Sequence, residues 1–90
     1  TDISILVEGH TDNQAVSGNS RFKDNWELSV LRATEVVKFM QTEGKVDPTR
    51  LTASGRGEYF PIEAGDSKEA RAKNRRTEVI IIPKLDVLYN

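Results

Sequence analysis

The sequence has no cysteine, a single histidine and no long apolar run. Without cysteine there is no disulfide, no thiolate nucleophile and no Cys-based metal site, and the redox compartment stays open. A lone His10 leaves no second imidazole for a zinc site, and His10, Thr11 and Asp12 are consecutive residues that cannot converge as a nucleophilic triad. No segment approaches the roughly 20 apolar residues of a membrane-spanning helix. An excess of one charge is also missing. The 14 Asp and Glu residues face 13 Lys and Arg, for a net charge of −1, which argues against a general nucleic-acid binder. Gly55-Arg56-Gly57 lacks the Lys-Ser/Thr ending of a phosphate-binding loop and the full dinucleotide fingerprint, so it reads as a turn at a strand end.

What is present fits one small soluble domain of 90 residues, 37% hydrophobic and 30% charged. Alternation of Ile3, Ile5 and Val7 predicts a strand over 3–8, closed by Gly9. Residues 9–24 are polar and loop-like, and a loop this long in a small domain is a place to look for a site. Asp24 to Glu27 has the form of a capping box, with Asp24 accepting from the amide of Glu27 and Glu27 reaching back to that of Asp24. It opens a helix to about Glu43. Trp26, Val30, Ala33, Val37 and Met40 recur at helical spacing and predict a face buried against a sheet, broadened by Leu28, Val36 and Phe39. Gly44 is the expected stop. Asp47 and Pro48 start a short helical step. A strand follows over 51–54, a helix capped at Asp66 runs to about Asn74, and the last strand spans 77–82. Leu85, Val87, Leu88 and Tyr89 form an apolar tail. Alternating elements with few strands predict an α/β two-layer sandwich, with the helices on one side of a small sheet.

Three polar clusters stand out. The first is Gly9-His10-Thr11-Asp12-Asn13, just beyond a strand end, where ligands of α/β folds often sit. Asp12 suits an ammonium or an arginine, and equally the capping of its own turn. The second is Asn25 and Arg32, two helical turns apart and able to share a face. A half-buried Arg32 needs a partner, and Asp12 is the candidate. Together the two make either a structural ion pair or a bipolar site, with Asp12 for a ligand ammonium and Arg32 for a carboxylate. The third cluster is basic: Lys68, Arg71, Lys73, Arg75 and Arg76 lie among only two acids, as an anion-binding surface or a solvated helix face. At the start of a strand Arg75 and Arg76 must point opposite ways.

Four blocks in order carry a resemblance. Val7-Glu8-Gly9-His10-Thr11-Asp12-Asn13, Asn25-Trp26-Glu27-Leu28-Ser29-Val30-Leu31-Arg32-Ala33, Leu51 to Glu58 with Pro61, and Asn74-Arg75-Arg76-Thr77-Glu78 together resemble the OmpA-like peptidoglycan-binding domain, the family of outer-membrane protein A, peptidoglycan-associated lipoprotein and MotB. The match covers residues 3–83 of a single domain, 1–90, with 84–90 as a tail. The resemblance implies a β-α-β-α-β fold with a mixed sheet, here without the family's first strand and first helix. The expectation is then of an excised domain, either a destabilised fragment or one completed by a partner copy through dimerisation or swapping, with any membrane contact made through upstream regions.

The resemblance further implies a non-enzymatic module that needs no cofactor or metal and holds the diaminopimelate residue of the peptidoglycan stem peptide. Asp12 would hold the ammonium and Arg32 the carboxylate. Asn25 would hydrogen-bond the ligand, Leu28 would wall its aliphatic stem, Thr11 would shape the pocket, and Arg75 or Arg76 would stand nearby. The implied location is the periplasm, tethered to the outer membrane, or to the inner membrane for a stator-type protein. A rival use of the same cleft is a protein-interaction domain for a carboxylate-bearing partner. Thirteen residues separate Asp12 from Asn25, so 14–23 read as an insertion-like loop whose Arg21 and Lys23 are further contact candidates.

Overall fold

The computed structural model describes residues 3–83, so the apolar tail at 84–90 lies outside the described residues. Strand β1 (Ser4–His10) is followed by helix α1 (Asn25–Thr42), a short 3-10 turn (Pro48–Arg50), strand β2 (Leu51–Gly55), helix α2 (Lys68–Asn74) and strand β3 (Arg76–Ile82). The sheet order is β2-β1-β3; β1 runs parallel to β2 and antiparallel to β3. This is the small mixed sheet with alternating helices expected from the sequence.

The register explains how the strands divide their side chains. Ile5 and Val7 point toward α1 and form the core with Ala33, backed by Val36, Val37, Met40, Val46, Leu51 and Ala53. Glu8 and His10 point to the other face, opposite Glu78 and Arg76 of β3. Gly9 does not end β1. It pairs with both Gly55 and Thr77, and the strand continues to His10. A side chain at Gly9 would collide with the α1 backbone, its Cβ 2.0 Å from the Ser29 carbonyl oxygen. The glycine is there for close approach of strand and helix, not as a breaker.

Helix α1 places Ala33, Val36, Val37 and Met40 of the expected stripe in or against the core, but not Trp26, Val30 and Phe39. Asn25, Ser29 and Ala33 are buried, whereas Trp26, Val30 and Phe39 are 48%, 43% and 64% exposed. Ser29 meets both Gly9 and Gly55, so small residues bring the helix close to the strands. That rotates the large side chains to its flanks, where Trp26 packs on Tyr59 with ring centroids 5.2 Å apart. The cap forms as expected at Asp24, which accepts from the Glu27 amide at 3.0 Å, but Glu27 in return accepts from the amide of Lys23. At the other end Lys45, not Gly44, takes the left-handed backbone conformation (φ 57). Helix α2 is capped by Ser67 rather than Asp66; the Ser67 hydroxyl accepts from the Ala70 amide.

Candidate functional site

The cavity at the end of β1 has a volume of about 230 Å³ and lies between the 11–16 segment, the first turns of α1 and the residue that follows α2. Thr11, Asp12, Asn25, Leu28, Arg32 and Arg75 all line it, with Gln14, Ala15 and Val16 completing the wall. Six of the seven site residues named from the sequence therefore meet at one place. The seventh, Arg76, is not among the lining residues. It starts β3 on the other face of the sheet, where its Nε donates to Glu78 at 2.6 Å and its Nη2 to the Phe60 carbonyl at 3.0 Å. Adjacent residues at a strand start point opposite ways, and here Arg75 takes the cavity side.

Asp12 is buried. Its Oδ1 accepts from the Gln14 amide at 3.0 Å and its Oδ2 from Arg75 Nη1 at 2.8 Å, so it both caps its own turn and holds an arginine. Burial by itself would raise the Asp12 pKa. The Arg75 and Gln14 hydrogen bonds, with the charges of Arg75 and Arg71, outweigh that and hold the carboxyl below its ordinary range. The ion-pair partner of Asp12 is thus Arg75 and not Arg32. The geometry of α1 separates the roles: Arg32 is half-buried in the wall, and among the described residues it has no hydrogen-bond or ion-pair partner.

Asn25 knits the cavity floor. Its Nδ2 donates to the carbonyls of Asp12 (3.4 Å) and Gln14 (3.1 Å) and to Glu58 Oε1 (3.4 Å), while its Oδ1 has no partner among the described residues. Thr11 is buried, its hydroxyl donating to the Asp12 carbonyl at 2.8 Å and its amide to the Gly57 carbonyl at 2.9 Å. Gly57 holds this position at φ 61, a left-handed conformation that favours glycine, and its amide donates to Ser29 Oγ. The Gly-Arg-Gly turn therefore ties β2, α1 and the cavity rim together.

The placing of Arg75 depends on Asn74. The Asn74 side chain is buried, accepting from the amides of Ile62 and Glu63 and donating to the Glu63 carbonyl. This fixes the end of α2 against the 61–63 loop. Of the basic cluster, Lys73 pairs with Glu63, Arg75 with Asp12 and Arg76 with Glu78, so much of it is spent inside the domain. In the long loop, Arg21 lies over the Phe22 ring and Lys23 bonds Glu27 through its backbone; neither lines the cavity.

A second polar group sits on the opposite face of the sheet and was not foreseen as a unit. Glu8, His10 and Glu78 bring ligand-type atoms within 4.8 Å of one another. Glu8 is shared by His10 Nε2 (2.9 Å) and Arg56 Nε (3.1 Å), and Glu78 is held by Arg76. The two carboxylates already have two guanidinium partners, so the charge that would hold a cation is neutralised. The signal in the sequence was alternation: Glu8 and His10 point to one face, two residues apart.

The OmpA family matches residues 1–75. The chain is 42% identical to motility protein B of Bacillus subtilis over 81 residues, which is 90% of this chain and 31% of that protein. It is 32% identical to peptidoglycan-binding protein ArfA of Mycobacterium tuberculosis over 80 residues, 89% of this chain and 23% of that one. It superposes on the crystal structure of the periplasmic domain of Helicobacter pylori MotB with a TM-score of 0.84 at 36% identity, covering 97% of this chain and 54% of the other. The chain thus spans less than a third of the length of these two sequence relatives.

Proposed function

Because this chain belongs to the OmpA family, we propose that it is a periplasmic module that binds peptidoglycan through the cavity bounded by Asp12, Asn25 and Arg32. It is a structural binding module, not an enzyme. The ligand feature is the diaminopimelate side chain, whose end carries one ammonium and one carboxylate. Asp12 takes the ammonium and Arg32 the carboxylate, while Leu28 walls the methylene chain. Asn25 Oδ1 accepts from a ligand N–H, and Thr11 keeps the Asp12 backbone in place. The observation that carries this reading is Arg32: a half-buried guanidinium in a cavity wall, with no acid to pair with among the described residues. Such a group favours an incoming carboxylate, which its planar fork can bind bidentately. Two likenesses bear on the reading: that to ArfA, whose name supports a wall ligand, and that to motility protein B. The latter likeness also favours a stator-type, inner-membrane tether over the outer-membrane one.

The test is calorimetric titration with a diaminopimelate-containing stem peptide beside a matched peptide carrying lysine, which keeps the ammonium and lacks the carboxylate. Saturable binding to the first alone is expected. Arg32→Ala and Asp12→Ala each remove one end of the recognition, at a cost on the order of 2–5 kcal/mol, or roughly 30- to several-thousand-fold in affinity. Unchanged affinity in a folded Arg32→Ala protein would sink the assignment.

One observation favours a second reading. Asp12 is already neutralised by Arg75 whereas Arg32 is not, which suits a partner protein that presents a carboxylate and no ammonium. That reading requires Arg32-dependent binding of peptides ending in a free carboxylate and no preference for the diamino acid.

A further inference from the structure

We infer that Arg75 is a specificity-determining residue: it exchanges its ion pair with Asp12 for one with the ligand, and so selects ligands that carry a second carboxylate. This deepens the diaminopimelate reading and rests on it. Two guanidiniums (Arg32 and Arg75) and one carboxylate (Asp12) line the cavity. Both Asp12 oxygens are engaged in the free protein, one by the Gln14 amide and the other by Arg75. A ligand ammonium that reaches Asp12 therefore meets a carboxylate already paired to a cation. Two cations on one carboxylate repel each other, so an arriving ammonium weakens the hold of Asp12 on Arg75.

The two partners are not equally free to move. The Asp12 side chain is 10% exposed and pinned by its own turn, whereas that of Arg75 is 44% exposed. The Arg75 backbone is anchored, because the neighbouring Asn74 is hydrogen-bonded into the 61–63 loop and the Arg75 amide donates to the Arg71 carbonyl. A fixed base with a half-exposed side chain can swing its guanidinium away from Asp12 without disturbing the fold. Once displaced, Arg75 needs an anion. The acids near the cavity already have partners: Glu58 accepts from Asn25, Asp66 from Asn13 and Glu63 from Lys73.

Charge balance then defines the ligand. A zwitterionic end with one ammonium and one carboxylate satisfies Asp12 and Arg32 and leaves Arg75 unpaired beside the incoming ammonium. A ligand with one ammonium and two carboxylates pairs all three. In a stem peptide the second carboxylate is the free α-carboxylate of the γ-linked glutamyl residue next to the diaminopimelate. Amidation at that position removes the charge and keeps the shape.

The experiment compares N-acetyl-alanyl-γ-glutamyl-diaminopimelyl-alaninamide, which keeps one ammonium and one carboxylate on the diaminopimelate end and the glutamyl α-carboxylate, with the same peptide amidated at that α-carboxylate, titrated calorimetrically into the wild-type protein and into Arg75→Gln. The pair is half-exposed, so amidation is expected to weaken wild-type binding by about three- to tenfold. In Arg75→Gln that ratio is expected to collapse to about one, because no second cation waits for the carboxylate. Equal affinity of the wild type for the two peptides overturns the inference and leaves the diaminopimelate reading standing. So does a ratio that survives in Arg75→Gln, which would assign the discrimination to another group. Binding of neither peptide overturns both readings together. The circular dichroism spectrum and melting temperature of Arg75→Gln confirm that the comparison is made between folded proteins.

Discussion

Ser29 is a small polar residue in the second turn of an amphipathic helix, and three parts of the fold meet at it. Its hydroxyl donates to the Trp26 carbonyl at 2.9 Å and accepts from the Gly57 amide at 3.0 Å. Gly57 in turn accepts from the amide of Thr11, on the cavity wall. Ser29→Ala leaves the Gly57 amide without its partner, and an orphaned buried donor costs about 1–3 kcal/mol. At this size each kcal/mol lowers the melting temperature by roughly 4–8 °C. The expected outcome is a clear drop in Tm with faster amide hydrogen exchange at Gly57 and Thr11. An unchanged Tm would show that the turn is held by other means. In the sequence Ser29 was visible only as part of the Asn25-to-Ala33 block. A buried hydroxyl cannot be told from an exposed one until its partners are known, and those are 3 and 28 residues away. Asp12 is the opposite case. Its place after a strand end marked it as a site residue, and its local turn-capping was also foreseen, yet its ion-pair partner was expected on α1. The 63-residue separation to Arg75 hid the true one.

The packing of α1 on the sheet is governed by glycines as much as by apolar residues. A Cβ at Gly9 would stand 2.0 Å from the Ser29 carbonyl oxygen, and one at Gly55 would stand 2.3 Å from Ser29 Oγ and 2.7 Å from the Val30 amide nitrogen. The Ser29 carbonyl and the Val30 amide are backbone groups, which cannot rotate aside. Gly18, in the long loop, has nothing within 4 Å of the same position. Gly9→Ala is therefore expected to push α1 off the strands, at a cost typical of overpacking, about 1–3 kcal/mol or more. Gly18→Ala should be near neutral. Chemical denaturation of the two variants separates the cases, and equal stability would refute the close-approach account. The same contact explains where the sequence reading of α1 went astray. Apolar periodicity located the helix and its length well, because spacing does not depend on the partner. It misplaced the line in the first turns only, because Trp26 and Val30 weigh more on a hydropathy scale than Asn25 and Ser29, whereas the closest approach to glycine strands selects the smallest side chains. Strand limits were legible to within two residues at each end; Gly9 and Gly55 were mistaken for breakers because a paired glycine and a turn glycine look alike in sequence.

Across the whole domain, acids and bases are sorted onto the two faces of one sheet. Asp12 with Arg75 belongs to the helix side, and Glu8 with His10 and Arg56, beside Glu78 with Arg76, to the other. Burial alone would raise the Glu8 pKa, but hydrogen bonds from Arg56 and His10 and their charges outweigh it and hold Glu8 below its ordinary value of 4.5. Asp12 is likewise held below 3.8. Groups with depressed folded-state pKa values bind fewer protons than the same groups in the unfolded chain, so stability rises with pH through that window. Their contribution is fully present above the unfolded values and is lost as the pH falls through the lower folded ones. The domain is thus expected to keep its Tm from neutrality down to about pH 5 and to lose it progressively below about pH 4. Glu8→Gln preserves shape and one hydrogen-bond acceptor but cannot titrate. It should be less stable than wild type at pH 7, since Arg56 loses its buried counter-charge, and should converge on wild type as falling pH protonates Glu8. Thermal denaturation of both proteins from pH 7 to pH 2 reads this directly. Parallel curves across the whole range would mean that Glu8 does not carry the acid limb and would turn the test to the buried Asp12 and its pair with Arg75, checked in the same way with Asp12→Asn.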